Sequence, residues 1–355
     1  MKQAISFGGK TDQGEIRTNN EDAFVVQKIW DNNHILAVVI DGVGGYEGGE
    51  VAADIAQKAI VNYLKAYPNG ERIELLKQAV IEANNKIFAE RAIQTQFSTM
   101  SCVLTACLVE VARKQINMVH VGDTRLYQYW HNKLTKLSHD HSLVGYREEV
   151  GDLSEDEAMN HPQRNVINRD LGSNFHEVHD EDFLEAAIFP LQPNSILVLC
   201  SDGLSDMLKS LEIVSVLKQK ITLKEKVQEL IDCANRKGGQ DNITVVLVEY
   251  QSNEPSPVTT KIETEQSNIR IEPIELEEKS QKGRIKKGFI ALIALAALAI
   301  GFAGGWFGKM YLMNTNNEIR EVLPADSCST TVSEDTVTIN TDSVVLNAID
   351  DTISN

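Results

Sequence analysis

The 355-residue chain has no Cys-x-x-Cys pair and no Cys/His spacing of the zinc-binding kind, and its five cysteines are scattered. A bound metal would therefore have to be held by oxygen ligands. Cys102, Cys107, Cys200 and Cys233 stand in or beside apolar segments, as reduced core cysteines of an intracellular domain do. Basic residues are short: 34 Lys and Arg against 51 Asp and Glu give a formal charge of -17. That balance argues against a nucleic-acid partner, whose backbone needs clustered cations. The N-terminus lacks the basic, apolar and small-residue order of a signal peptide. Two familiar glycine motifs are also missing from ILAVVIDGVGGYEGGEVAAD (residues 35–54), although five glycines fall within eight residues after Asp41. Glu47 stands where a dinucleotide fingerprint needs its third glycine, and no Lys-Ser or Lys-Thr pair follows to make a phosphate loop.

What is present divides the chain near residue 250. Residues 1–250 alternate strand-like and helix-like segments, enough for one core. Residues 251–286 carry three prolines, many acids and no aromatic residue, the composition of a tether that cannot bury enough surface to fold alone. Residues 287–308 form the next segment, in which Gly288 to Gly308 is a 21-residue run without a charge, long enough for a single membrane-crossing helix. Arg284, Lys286 and Lys287 precede it and only Lys309 follows closely, so the positive-inside bias puts the first segment in the cytoplasm and residues 309–355, a short polar tail, outside. Gly301, Gly304, Gly305 and Gly308 give two overlapping G-x-x-x-G spacings, a groove that permits weak self-association, although glycine is common in such helices.

Within the first segment, AFVVQK and HILAVVID read as strands. Helical spacing then predicts two long helices, one with Val51, Ile55 and Ala59 on its buried face with Ala52 and Ala56 beside them, the next with Ile73, Leu76, Val80, Ala83 and Ile87. SCVLTACLVEV, QINMVHVG and RLYQYW predict a meander, and SILVLC a further strand. Two more helices, from about Ser210 to Lys220 and from Leu223 to Arg236, precede a last strand, ITVVLVEY. Strands grouped around paired helices favour a layered α+β domain over a doubly wound sheet.

Acids recur at or beside strand ends, in NNEDAF, VVIDGVGG, LCSDGLSD and GGQDNIT. Each alone could cap a turn. Together, flanked closely by apolar residues, they would be costly to bury without a neutralising cation. Glu21, Asp41, Asp202 and Asp241 are therefore the candidate ligands of hard divalent ions, Mg²⁺ or Mn²⁺.

These residues also carry a family resemblance. GEIRTNNEDAF, VIDGVGGYEGGEVA, STMSCVLTACLV, VHVGDTRLYQY, LTKLSHDHSLV, HPQRNVINRDLG, LVLCSDGLSDML and GGQDNITVVLV occur in the order of the bacterial metal-dependent Ser/Thr protein phosphatases of the PPM, or PP2C, class. The resemblance implies a β-sandwich of two antiparallel sheets flanked by paired helices, with the metal centre at one end between the sheets. It implies that Asp41 bridges two ions, that Asp202 and Asp241 complete one shell, and that Glu21 and the Gly42 carbonyl serve the other. Asp22 is similar to an acid that orients bound water, Asp123 to a ligand of a third, weaker ion, and Arg17 to the arginine that holds the substrate phosphate. An arginine fork matches two phosphate oxygens, whereas read alone Arg17 is an ordinary surface residue. The implied reaction is in-line hydrolysis of phosphoserine and phosphothreonine by a hydroxide bridging two ions, with phosphorylated proteins, and a cognate Ser/Thr kinase or its substrates, as partners. No cysteine precedes an arginine in a phosphate-cradling loop, which excludes a cysteine phosphatase. Many eukaryotic members have histidine where Val43 stands, so another donor must protonate the leaving group here. His161 and Arg164 lie in the stretch that resembles a mobile flap, where they would shape substrate contacts or, for His161, donate that proton. The competing reading is a catalytically weak, membrane-anchored binding or regulatory module; retention of all four acids and Arg17 favours the enzyme.

Overall fold

Residues 4–43, 48–180 and 182–252 are described by the computed structural model. In chain order the strands are β1 (Ala4–Asp12), β2 (Ala23–Lys28), β3 (His34–Val43), β4 (Ser101–Glu110), β5 (Gln115–Val121), β6 (Arg125–Trp130), β7 (Lys133–Lys136), β8 (Glu185–Pro190), β9 (Ser195–Cys200) and β10 (Ile243–Gln251). The helices are α1 (Gly49–Ala66), α2 (Arg72–Ile93), α3 (Leu143–Glu149), α4 (Glu155–Met159), α5 (Asp202–Ser205), α6 (Ser210–Leu217) and α7 (Leu223–Arg236). The strands make two five-stranded antiparallel sheets, ordered β1-β10-β9-β6-β7 and β2-β3-β4-β5-β8.

Strand alternation explains the layering. On β3, Ile35, Ala37 and Val39 enter the core between the sheets with Met118, Leu199 and Val246. Leu36, Val38 and Ile40 point the other way, into the core shared with α1 and α2. Both faces are covered, which is why the run is apolar without interruption. On the far side, Val198, Val245 and Leu247 pack under α6 and α7. The order is helices, sheet, sheet, helices.

The face of α1 is rotated from the expected one. Ala52, Ala53, Ala56, Ala59, Ile60 and Leu64 are buried on it, while Val51 and Ile55 are only partly buried at its edge. Alanines let the helix lie close to β3, and the branched side chains fill the margin. On α2, Leu76, Val80, Ala83 and Ile87 are buried as the spacing predicts, with Ile73 partly buried. Strand β3 also runs two residues past Asp41, with Asp41, Gly42 and Val43 opposite Val103, Cys102 and Ser101. Gly42 is thus a ladder residue and not the start of a turn. A Cβ there would lie 2.5 Å from the Glu21 carbonyl oxygen and from Gly49, a separation that only glycine permits.

Among the described residues no helix is long and apolar enough to cross a membrane. The expected tether, span and tail fall on residues 251–355, which apart from Gln251 and Ser252 lie outside the described residues.

Candidate metal centre

At one end of the sandwich, a cleft of about 190 Å³ is lined by Arg17, Glu21, Asp41, Gly42, Val43, Val103, Asp123, Asn165, Ile167, Asp202, Asp241 and Asn242. It draws on both sheets. Asp41 is near the end of β3, Asp202 follows β9 and Asp241 precedes β10. Asp123 lies on the crossover from β5 to β6, and Arg17 and Glu21 on the crossover from β1 to β2.

One side chain holds much of this together. Asn242 Oδ1 accepts the Glu21 backbone N–H at 2.8 Å, and its Nδ2 donates to the carbonyls of Gln13 (3.0 Å) and Asn19 (2.8 Å). The loop bearing Arg17 and Glu21 is thereby fixed to the turn bearing Asp241. Arg17 Nη2 meets Asp241 Oδ2 at 2.6 Å, while the arginine remains about half exposed. It is therefore anchored beside the acids with donors still facing the cleft.

Electrostatics show what the cluster lacks. Burial pushes Asp41 well above the usual carboxylate range, and Asp22, Asp202, Asp123 and Asp241 add to it by repulsion. Asp202 is raised in the same way, by burial and then by Asp123, Asp206, Asp241 and Asp22. Burial lifts Asp123 to about 7, with repulsion from Asp140 and Asp206, and lifts Asp22 to about 7 although Thr244 donates a 2.6 Å hydrogen bond to it. Glu21 is raised by burial and then by Glu50. Asp202 Oδ1 is buried without a hydrogen-bond partner among the described residues. An orphaned carboxylate oxygen amid mutually repelling acids, with oxygen as the only ligand type, fits hard divalent cations. The residues present therefore fit Mn²⁺ or Mg²⁺.

The flap stretch divides. Asn165 and Ile167 line the cleft. Arg164 instead lines an adjoining cavity of about 20 Å³, shared with Asp123, Asp202 and Asp206, which is room for one water or one ion. Its Nε donates to Asp206 Oδ2 at 2.8 Å. His161 lies outside the lining of both, its Nδ1 accepting the Gln163 N–H at 3.1 Å. Sequence reasoning passed over Asn242, Asp206 and Asp140. Asn242 and Asp206 are visible as second polar residues in GGQDN and SDGLSD, and Asp140 lies within LTKLSHDHSLV without standing out there; it is buried and paired to Arg125 at 2.7 Å.

The profile of the Protein phosphatase 2C family matches residues 15–248, and the chain belongs to that family. It is 37% identical over 244 residues to the serine/threonine phosphatase stp of Listeria welshimeri, covering 68% of this chain and 94% of that protein. Its structure resembles the serine/threonine phosphatase PstP/Ppp of Mycobacterium tuberculosis, with a TM-score of 0.61 at 29% identity over 70% of this chain and 99% of the other. The catalytic domain of a PstP in complex with two manganese ions has a TM-score of 0.60 at 28% identity, over 71% of this chain and all (100%) of the other.

Proposed function

We propose that the chain hydrolyses phosphoserine and phosphothreonine on proteins in a reaction that needs two divalent ions, and that it does so at the cytoplasmic face of a membrane. The enclosed cluster of Asp41, Asp202 and Asp241 with Glu21 carries the chemical half of this reading. Those four side chains and the Gly42 carbonyl would hold two Mn²⁺ or Mg²⁺ ions, and Asp123 a third, weaker one. When bound, the ions supply Lewis acidity and a water acidified to near-neutral pKa. Arg17, anchored on Asp241 with its fork half exposed, binds the substrate phosphate and stabilises charge on its equatorial oxygens. Asp22, enclosed beside the ligands and fixed by Thr244, orients water and accepts a proton. Val43 is 38% exposed at the rim and has no proton to give, so it shapes the approach of the phosphorylated side chain.

With full-length protein, turnover of p-nitrophenyl phosphate and of phosphothreonine peptides requires added Mn²⁺ or Mg²⁺, and is abolished by EDTA and in Asp41→Asn. Turnover that persists in excess EDTA sinks the metal-dependent account.

The uncharged run from Gly288 to Gly308 and the cations ahead of it support a single-pass anchor with the catalytic segment inside, close to phosphorylated proteins of a membrane kinase. Its glycine spacings support weak self-association. A bilayer-insertion dimerisation reporter carrying residues 280–315 tests both. Insertion with a signal lost in Gly305→Ile is expected; no insertion removes the anchor, and equal signals remove the dimer.

A further inference from the structure

His120 and His141 lie outside the catalytic cleft, with their rings 4.9 Å apart, and the chemistry proposed above makes no use of them. Together with Glu185 they bring three ligand atoms within 4.8 Å of one another, close enough to raise the question of a further metal site. Their hydrogen bonds answer it differently. Glu185 is already occupied by His139, whose backbone N–H (2.9 Å) and Nδ1 (2.7 Å) meet its two oxygens. His141 Nδ1 accepts the Gly122 N–H at 3.1 Å, and the His141 backbone N–H returns to the Gly122 carbonyl at 2.6 Å. His120 Nε2 reaches the same carbonyl at 3.0 Å. A carbonyl only accepts, so Nε2 carries the proton, and His120 Nδ1 accepts from Thr105 Oγ1 at 2.9 Å. Thr105 also lies 2.8 Å from the Thr124 hydroxyl and 3.0 Å from the Thr124 carbonyl. Two ring nitrogens, His120 Nε2 and His141 Nδ1, thus hold the Gly122 peptide groups just before Asp123, while Thr105, its one proton given to His120 Nδ1, accepts from the Thr124 hydroxyl just after it.

The backbone held this way is constrained already. Gly122 has φ +104°, and a Cβ there would meet Val103 at 2.2 Å. The segment therefore has no alternative residue at Gly122 and little slack, while the side chain that follows it must face other carboxylates. We propose that His120 and His141 are positioning residues that clamp the peptide groups of Gly122 and so hold the Asp123 carboxylate in the metal cleft. The proposal rests on the reading of Asp123 as the ligand of the weaker ion. Groups that orient a ligand from behind are worth about 10–100-fold in metal affinity when lost.

Position-specific substitution separates the clamp from ordinary packing. In His141→Asn, Oδ1 takes the place of Nδ1 and can accept the Gly122 N–H; in His141→Gln the oxygen sits one bond further out and cannot. Full-length wild type, both variants and Asp123→Asn are titrated with Mn²⁺, with bound and free ion counted by electron paramagnetic resonance. The expected result is that Asp123→Asn and His141→Gln weaken the last equivalent about 10–100-fold. The two tighter equivalents are unchanged, and His141→Asn stays near wild type. A His141→Gln curve matching wild type while Asp123→Asn loses the weak equivalent overturns the clamp and leaves the role of Asp123 standing. Equal losses in both His141 variants, or a loss spread over all equivalents, also overturn it. An unchanged Asp123→Asn curve removes the reading of Asp123 as a ligand, and the clamp's function with it.

Discussion

Asp41 shares its enclosure with Asp22, Asp123, Asp202 and Asp241, and burial together with their repulsion disfavours its ionised form, which a positive charge joining them would favour. The consequence is a pH effect with a definite sign. Asp22 and Asp123 are held at about 7 in the fold, against 3.8 without it. Between those values the metal-free folded state keeps protons that the unfolded state has lost. The contribution of these two groups to stability therefore falls as pH rises from about 4 to about 7, and a bound cation reverses it by favouring the ionised forms. Mn²⁺ binding at pH 6.5 is accordingly expected to release protons, and its apparent affinity to weaken as pH falls. Calorimetric titration in buffers of different ionisation enthalpy measures the release. A binding enthalpy independent of buffer would show that the acids are already ionised without metal.

Elements with a strong period were legible before the fold was known. AFVVQK, SILVLC and the helix from Leu223 to Arg236 lie where their patterns predict, the last opened by a Thr222/Glu225 capping box. The misses have physical causes. Strand β1 contains Gly8 and Gly9 and is largely half-buried, so its alternation is faint, yet it pairs with β10 along its whole length. Strands β7 and β8 alternate intermediate and exposed residues, and α3 and α4 are seven and five residues long, too short for a helical period to show. Their start signals were present in Ser142 and in the Ser154/Glu157 capping box. For β3, HILAVVID reads as a strand that ends on Asp41, whereas the strand continues and Gly42 is demanded by close approach to Glu21 and Gly49 inside it. Local sequence carries the need for glycine but not which neighbour imposes it.

At the scale of the whole molecule, the cleft exists because two sheets present their ends side by side. Glu21 and Asp241 are separated by 220 positions and Asp41 and Asp202 by 161, so neither pairing could be read from spacing. The acids could be picked out because each interrupts an apolar context, and the family resemblance implied their grouping. Asn242 shows what escaped: its three hydrogen bonds join the loop of Glu21 to the turn of Asp241, a role that depends on a contact between distant segments. The central claim is that this grouping is a centre for two metal ions. The anomalous difference map of a Mn²⁺-soaked crystal tests it most directly. Two peaks within coordination distance of Asp41, one shared with Asp202 and Asp241 and the other with Glu21 and the Gly42 carbonyl, are the predicted result. A cleft without manganese, or manganese found only beside His120, His141 and Glu185, would contradict it.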